Sequence, residues 1–249
     1  MTEPLLLTTT RIRTFKGRLP LSAASGFFFR RGEVVHLVTC QHVLTNPATG
    51  HEPDRLEIDL HEDAGRLGKV VVGSLPLYAG GRALWRAGRD AGGAIDVATL
   101  ELDAALLPPE SARRCFTPQH LLAHLDEAQV GAALLIVGFP LGFHDQVHYL
   151  PVVRQAVIAS SFGVRFQGEA QFLTDARTHR GSSGGPVVMH DPQGDPSLPW
   201  KLLGVHASRI DMLSRDRWED EALGLNSAWY ADILMTLTEP DGKAASARS

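Results

Sequence analysis

Along most of this chain, short runs of β-branched and aromatic residues recur. Each is cut off by Gly, Pro, Asp or Asn before it reaches the length of an ordinary helix. Gly26-Phe27-Phe28-Phe29-Arg30 and Val34-Val35-His36-Leu37-Val38-Thr39 flank the turn-forming Arg31-Gly32-Glu33 and predict a hairpin. Further strands are expected over residues 56–60, 69–72, 96–102, 133–137, 152–160, 171–174, 186–189 and 202–206. Strands this short and this frequent predict an all-β sandwich or barrel pair rather than alternating βα units. Helical spacing is confined to residues 118–129 and to 227–238 near the end. A Pro- and charge-bearing stretch at 106–118 marks a boundary. The expected organisation is an N-terminal lobe over 1–112, a C-terminal lobe over 113–240 ending in a helix, and a polar tail at 241–249.

A chain of 249 residues, 44% of them hydrophobic, can bury a core large enough for one domain or for two lobes sharing a cleft. Its net charge of -4 argues against a nucleic-acid partner. No polybasic run and no apolar stretch near about 18 residues points to a membrane. Leu5-Leu6-Leu7 is far short of a signal-peptide core, so a cytoplasmic location is expected. The two cysteines, Cys40 and Cys115, are expected to be reduced thiols.

The chemistry concentrates in Gly181-Ser182-Ser183-Gly184-Gly185-Pro186. A serine hydroxyl is a weak nucleophile, which needs a base within hydrogen-bond reach and donors for the oxyanion it creates. Glycines around it let the backbone turn tightly and aim amide N–H groups at one point. By this pattern Ser183 is the nucleophile, and the N–H groups of Gly181 and Ser183 form an oxyanion hole. On its own the stretch is also readable as a Gly/Ser-rich loop between strands.

Two upstream residues change that balance. Val38-Thr39-Cys40-Gln41-His42 sets a histidine just after an apolar strand, and Gly93-Ala94-Ile95-Asp96-Val97-Ala98 sets a carboxylate inside one. Each has a bland reading, as a solvated histidine and as a strand-end aspartate. A carboxylate in an apolar strand is costly without a partner, however, and an imidazole N–H is the partner that a serine–histidine pair requires.

On these segments the chain resembles the trypsin/chymotrypsin superfamily of serine peptidases. Thr39-Cys40-Gln41-His42 is similar to that family's Thr-Ala-Ala-His element, Asp96-Val97-Ala98-Thr99-Leu100 to its Asp-Ile-Ala-Leu-Leu, and residues 181–186 to its Gly-Asp-Ser-Gly-Gly-Pro. The bacterial, HtrA-like branch resembles it further at Gly138-Phe139-Pro140-Leu141-Gly142, at Thr174-Asp175-Ala176 and at Ser25-Gly26-Phe27. The resemblance implies two antiparallel β-barrels with the site between them. It also implies a triad of His42, Asp96 and Ser183, a protein or peptide substrate, and no metal or organic cofactor.

The chain departs from the family in ways that matter. Ser182 stands where digestive members carry the aspartate that pairs with a new N-terminus, so activation by N-terminal insertion is not expected. The disulfide beside the catalytic histidine is missing, and too little chain follows residue 235 for a PDZ domain. Glutamate-preferring bacterial members use a Thr upstream of the nucleophile and a Gly-Ile-His strand. Thr178 and Gly204-Val205-His206 resemble these, with Arg177 or Arg180 adding positive potential, which implies an acidic P1 residue. Two other readings of the same fold remain: a latent peptidase that needs an activating protein partner, and a binding module that has lost activity. No His-Glu-x-x-His or Cys-x-x-Cys element supports a metalloenzyme. Gly138–Gly142 is too short for a dinucleotide fingerprint, and an α/β-hydrolase would need its acid and base after the serine.

Overall fold

The apolar runs become strands because each finds antiparallel neighbours that satisfy its backbone groups. The computed structural model describes residues 2–211 and 222–240. The first lobe holds β1 (Thr9–Lys16), β2 (Leu19–Arg31), β3 (Val34–Thr39), β4 (Arg55–His61) and β5 (Val70–Pro76). A small ribbon follows, β6 (Tyr78–Ala79) and β7 (Arg82–Ala83), then β8 (Trp85–Asp90) and β9 (Gly93–Glu101). They form a seven-stranded antiparallel sheet in the order β5-β4-β1-β2-β3-β9-β8, with β6 and β7 paired apart from it. The short helix α1 (Gln41–Leu44) sits directly after β3.

After α2 (Pro109–Arg113) the second lobe is built from β10 (Ala133–Gly138), β11 (Val152–Ile158), β12 (Gln171–Asp175), β13 (Pro186–His190), β14 (Trp200–Asp211) and β15 (Ala222–Tyr230). These close into a barrel, β10-β11-β12-β15-β14-β13, which leaves no open edge. The final helix, α3 (Ile233–Leu237), returns to the first lobe, where the Thr99 hydroxyl donates to the Leu237 carbonyl at 3.2 Å. The all-β expectation with a short C-terminal helix therefore holds. No described helix is long and apolar enough to cross a membrane.

Of the two helix expectations one fails, and the other holds only over residues 233–237. Residues 118–129 form only the isolated turns Pro118–His120 and Leu125–Glu127. Leu121 bridges to Leu202 of the barrel while Leu125 is exposed, so burial does not follow a helical stripe. Residues 227–230 belong to β15, because β12 pairs on one side (Leu173↔Ser227) and β14 on the other (His206↔Ala228). Ladder bonds on both sides outweigh the modest helix preference of Ser-Ala-Trp-Tyr. Conversely, β1 and β8 lie outside the sequence expectation. In β1 alternate positions are polar and part-exposed, so the strand has no apolar run to mark it.

One core cluster runs across both lobes, from Phe27, Phe29, Leu37 and Val97 to Val137, Val205 and Leu234. A second fills the closed barrel around Phe172, Ile136 and Leu203. The inter-lobe connector is stitched to β2 at Phe116, whose N–H donates to the Phe28 carbonyl (2.9 Å) and whose carbonyl accepts from Arg30 N–H (2.8 Å). The Phe116 ring is fully buried and meets Phe27 edge-on at 5.7 Å. We expect Phe116→Ala to lower the unfolding free energy by about 3–5 kcal/mol, because a ring-sized cavity opens where the connector cannot collapse. Denaturant unfolding, read as a lower midpoint, checks this.

Candidate active site

His42 and Asp96 come together through the pairing of β3 with β9, whose register sets Thr39 opposite Ala98. The chain turns after Thr39 into α1, which brings His42 over the start of β9. There the Asp96 carboxylate uses both oxygens on one residue. Oδ1 accepts the His42 backbone N–H at 2.8 Å, and Oδ2 lies 2.6 Å from His42 Nδ1. With the carboxylate ionised, the proton of the second bond sits on Nδ1, which leaves Nε2 as the basic nitrogen. One contact orients the ring and fixes its tautomer together.

Cys40, just before α1, is fully buried and donates its thiol to the His206 carbonyl at 3.2 Å. Its sulfur and ligand atoms of His42 and Asp96 lie within 4.8 Å of one another. Burial, reinforced by the Asp96 charge, pushes the Cys40 thiol well above its ordinary range and keeps it protonated. A protonated, fully buried thiol beside an already paired imidazole is a poor donor set for a metal.

Ser183 sits on the loop between β12 and β13. It lines a cleft of about 280 Å³ together with His42, Ala24, Asn46, Arg180 and Gly181. Its hydroxyl donates to the Ala207 carbonyl at 2.7 Å rather than to His42. His42 and Ser183 thus line one cleft, with Asp96 hydrogen-bonded to the His42 ring and the serine hydroxyl turned onto β14.

The loop around Ser183 is held by its carbonyls, those of Arg180, Gly181 and Ser183 each accepting from another segment. Arg180 C=O accepts from Leu141 N–H at 2.6 Å, on the loop after β10. Every described peptide is trans, and a planar trans unit points its C=O and N–H in opposite directions. Tying the Arg180 oxygen to Leu141 therefore turns the Gly181 N–H away from that loop and toward the cleft. Among the described residues, neither the Gly181 nor the Ser183 N–H donates to a protein acceptor. Gly181 has φ +92, and a Cβ there would lie 2.6 Å from the Phe139 oxygen. Gly184 has φ +85, and its Cβ would lie 2.2 Å from both Ser25 O and Thr39 Oγ1. Only glycine fits either place.

The residues expected to read P1 are placed less decisively. Thr178 is buried and donates its hydroxyl to Asn226 Oδ1. The Asn226 amide in turn donates to the Ala176 carbonyl at 2.7 Å. His206 is 2% exposed and its Nδ1 has no partner among the described residues, while its backbone bonds Gly184 N–H (2.8 Å) and Gly185 O (2.9 Å). Arg177 is exposed. Among the described residues, no hydrogen bond joins Thr178, His206 and Arg177 to one another. Ser25, Ala207 and Asn226, which hold the loop, the serine and Thr178, were given no role by the sequence reading. The signal for Ser25 was a lone hydroxyl at the start of a run of buried apolar residues in β2.

Residues 24–195 match the family described as trypsin-like peptidase domain. No curated protein matches the chain. Among solved structures, the serine endoprotease from Yersinia pestis superposes with a TM-score of 0.54 at 14% identity, covering 93% of this chain and 61% of that one. The chain therefore spans less than two thirds of that protein's length. An inactive form of Rv3671c from M. tuberculosis H37Rv superposes with a TM-score of 0.50 at 15% identity, covering 94% and 86%. At such identities the likeness establishes the fold, a chymotrypsin-like double barrel.

Burial lowers the His206 pKa from 6.5 to about 4, and the charge of His42 adds to the fall. The unfolded chain therefore binds this proton first as pH drops. The stabilisation is complete above pH 6.5 and is lost progressively toward pH 4, by on the order of 3 kcal/mol. His206→Gln is expected to flatten the acid-side fall in melting temperature. A smaller slope remains from His36 and His120, whose pKa values burial also lowers.

Proposed function

Since this chain belongs to the family of trypsin-like peptidase domains, we propose that it is a serine endopeptidase in which Ser183, His42 and Asp96 carry acyl-enzyme chemistry. The observation that carries this assignment is the combination of the Asp96-oriented imidazole and Ser183 at one cleft with two amide N–H groups that have no acceptor among the described residues. A second groove of about 520 Å³ is lined by Asp96, Leu173, Ala207, Ser208 and Trp229, and an extended polypeptide would have room there.

In the reaction Ser183 first turns about χ1, exchanging the Ala207 carbonyl for His42 Nε2. Side-chain hops of this kind are far faster than turnover. Ser183 Oγ then attacks the scissile carbonyl while His42 Nε2 takes its proton. The carbonyl oxygen becomes an oxyanion that accepts from the N–H groups of Gly181 and Ser183, each such donor being worth about 3 kcal/mol of barrier. Collapse expels the amine, which His42 protonates, and leaves an ester on Ser183. Water, deprotonated by His42, attacks that ester, and the proton returns to Ser183 as the acid departs. Asp96 holds the Nδ1–H tautomer throughout and stabilises the imidazolium.

A fluorophosphonate probe tests the assignment directly. Wild type and Ser182→Ala are expected to label, Ser183→Ala is not, and Asp96→Asn should slow turnover by roughly 10⁴-fold. Failure of the folded wild type to label would move the assignment to a latent or binding role.

A finer reading is a preference for Glu or Asp at P1, carried by His206 and Thr178 with Arg177 at the rim. What favours it is the place of His206 on β14 directly before Ala207, whose carbonyl holds the Ser183 hydroxyl, with an Nδ1 that has no partner among the described residues. A P1-varied peptide library should show acidic residues cleaved at least tenfold faster than alanine, with the ratio collapsing in His206→Gln. Cleavage confined to neutral P1 residues removes this reading.

A further inference from the structure

Ser25 belongs to β2 of the first lobe and is fully buried, yet its hydroxyl and its N–H are spent on the second lobe. Its hydroxyl donates to the Gly181 carbonyl at 2.8 Å and accepts from the Phe139 N–H at 2.9 Å. Its own N–H donates to the Ser183 carbonyl at 2.9 Å. Its carbonyl accepts from Thr39 Oγ1 at 2.8 Å. One side chain thus holds the carbonyl on the far side of Gly181, the residue whose N–H the proposed chemistry needs. The same hydroxyl grips Phe139, two residues before Leu141, whose N–H ties the Arg180 carbonyl.

The geometry of these bonds is directional. The Arg180–Gly181 and Gly181–Ser182 peptides flank Gly181, and a glycine turns more readily than any other residue. Leu141 fixes the first peptide and Ser25 fixes the second. Leu141 itself sits at φ +54, a conformation that costs a residue with a side chain about 1 kcal/mol or more, so its grip needs support. That support is the Phe139 N–H bond to Ser25. Neighbouring space is equally tight, since a Cβ at Gly138 would lie 2.6 Å from Ser25 Oγ.

We propose that Ser25 is a positioning residue that locks the oxyanion loop with its N–H groups toward the cleft, so that the first lobe assembles the site without an activating partner. The proposal rests on the serine endopeptidase reading, and it touches the reaction only through Gly181 and Ser183.

Two variants and two kinds of readout test it. Ser25→Ala removes the hydroxyl, whereas Gly138→Ala keeps it but pushes it off its partners. Each is expected to cut kcat for a peptide ester by about 10- to 100-fold with KM nearly unchanged. Affinity for a peptide aldehyde, which forms the same oxyanion, should fall by the same factor. The double variant should be little worse than either single one, because Ser25→Ala vacates the space that Gly138→Ala needs. Amide hydrogen exchange of Leu141, protected by its bond to Arg180, should quicken at least tenfold in Ser25→Ala.

Retained kcat and aldehyde affinity in Ser25→Ala, or additive losses in the double variant, would overturn the lock. So would a fall in melting temperature with the aldehyde affinity intact, which is what a merely structural serine gives. The exchange measurement needs no turnover. If the wild type proves unreactive, the endopeptidase reading fails, while unchanged exchange at Leu141 still overturns the lock and faster exchange still supports it.

Discussion

A single peptide unit, the one joining Arg180 to Gly181, sets the direction in which this site faces. Because it is planar and trans, its oxygen and its N–H cannot be chosen separately. The Leu141 N–H holds the oxygen at 2.6 Å, and the opposite direction is thereby given to Gly181. Much around it serves that one orientation. Gly181 and Gly184 are glycines because a Cβ would strike backbone. The loop after β10 accepts a left-handed leucine to present its N–H. β14 supplies the His206 carbonyl to Gly184 and the Ala207 carbonyl to the serine hydroxyl.

The acid–base pair follows a different logic. His42 and Asp96 depend only on the register of β3 with β9 and on the short turn of α1, all within the first lobe. Both carboxylate oxygens bind His42, one at its backbone and one at its ring, so a rotation of the carboxylate breaks two bonds. The pair is thus rigid by local construction, while the serine loop is rigid only by virtue of contacts drawn from three separate segments.

This difference explains what the sequence made legible. The glycines and the serine at 181–186 announce themselves, since no other residue types fit a turn that must aim amides at a point. His42 was legible as a histidine just after an apolar strand, and Asp96 as a carboxylate inside one. The partners that hold the loop were not, because a carbonyl has no letter: Ala207 contributes only its oxygen, and Leu141 only its N–H. Strands were legible wherever burial on both faces produced an apolar run, as in Phe27-Phe28-Phe29. They were obscure where one face meets solvent, as in β1, or where small and polar residues fill a closed barrel, as at Ser227-Ala228 in β15. Thr178 and His206 were legible by resemblance, but the Asn226 side chain that claims the Thr178 hydroxyl was not.

The division of the site between two lobes has a further consequence. The base and its carboxylate ride on the first sheet, the nucleophile rides on the closed barrel, and the seam joining them is buried. A molecule whose lobes have come apart, during synthesis or under stress, holds a serine without a base and an imidazole without a serine. Under the proposed chemistry, bond cleavage would therefore belong to the finished assembly alone. A half-made copy would carry the parts of the site without the site, and would be inert toward its neighbours.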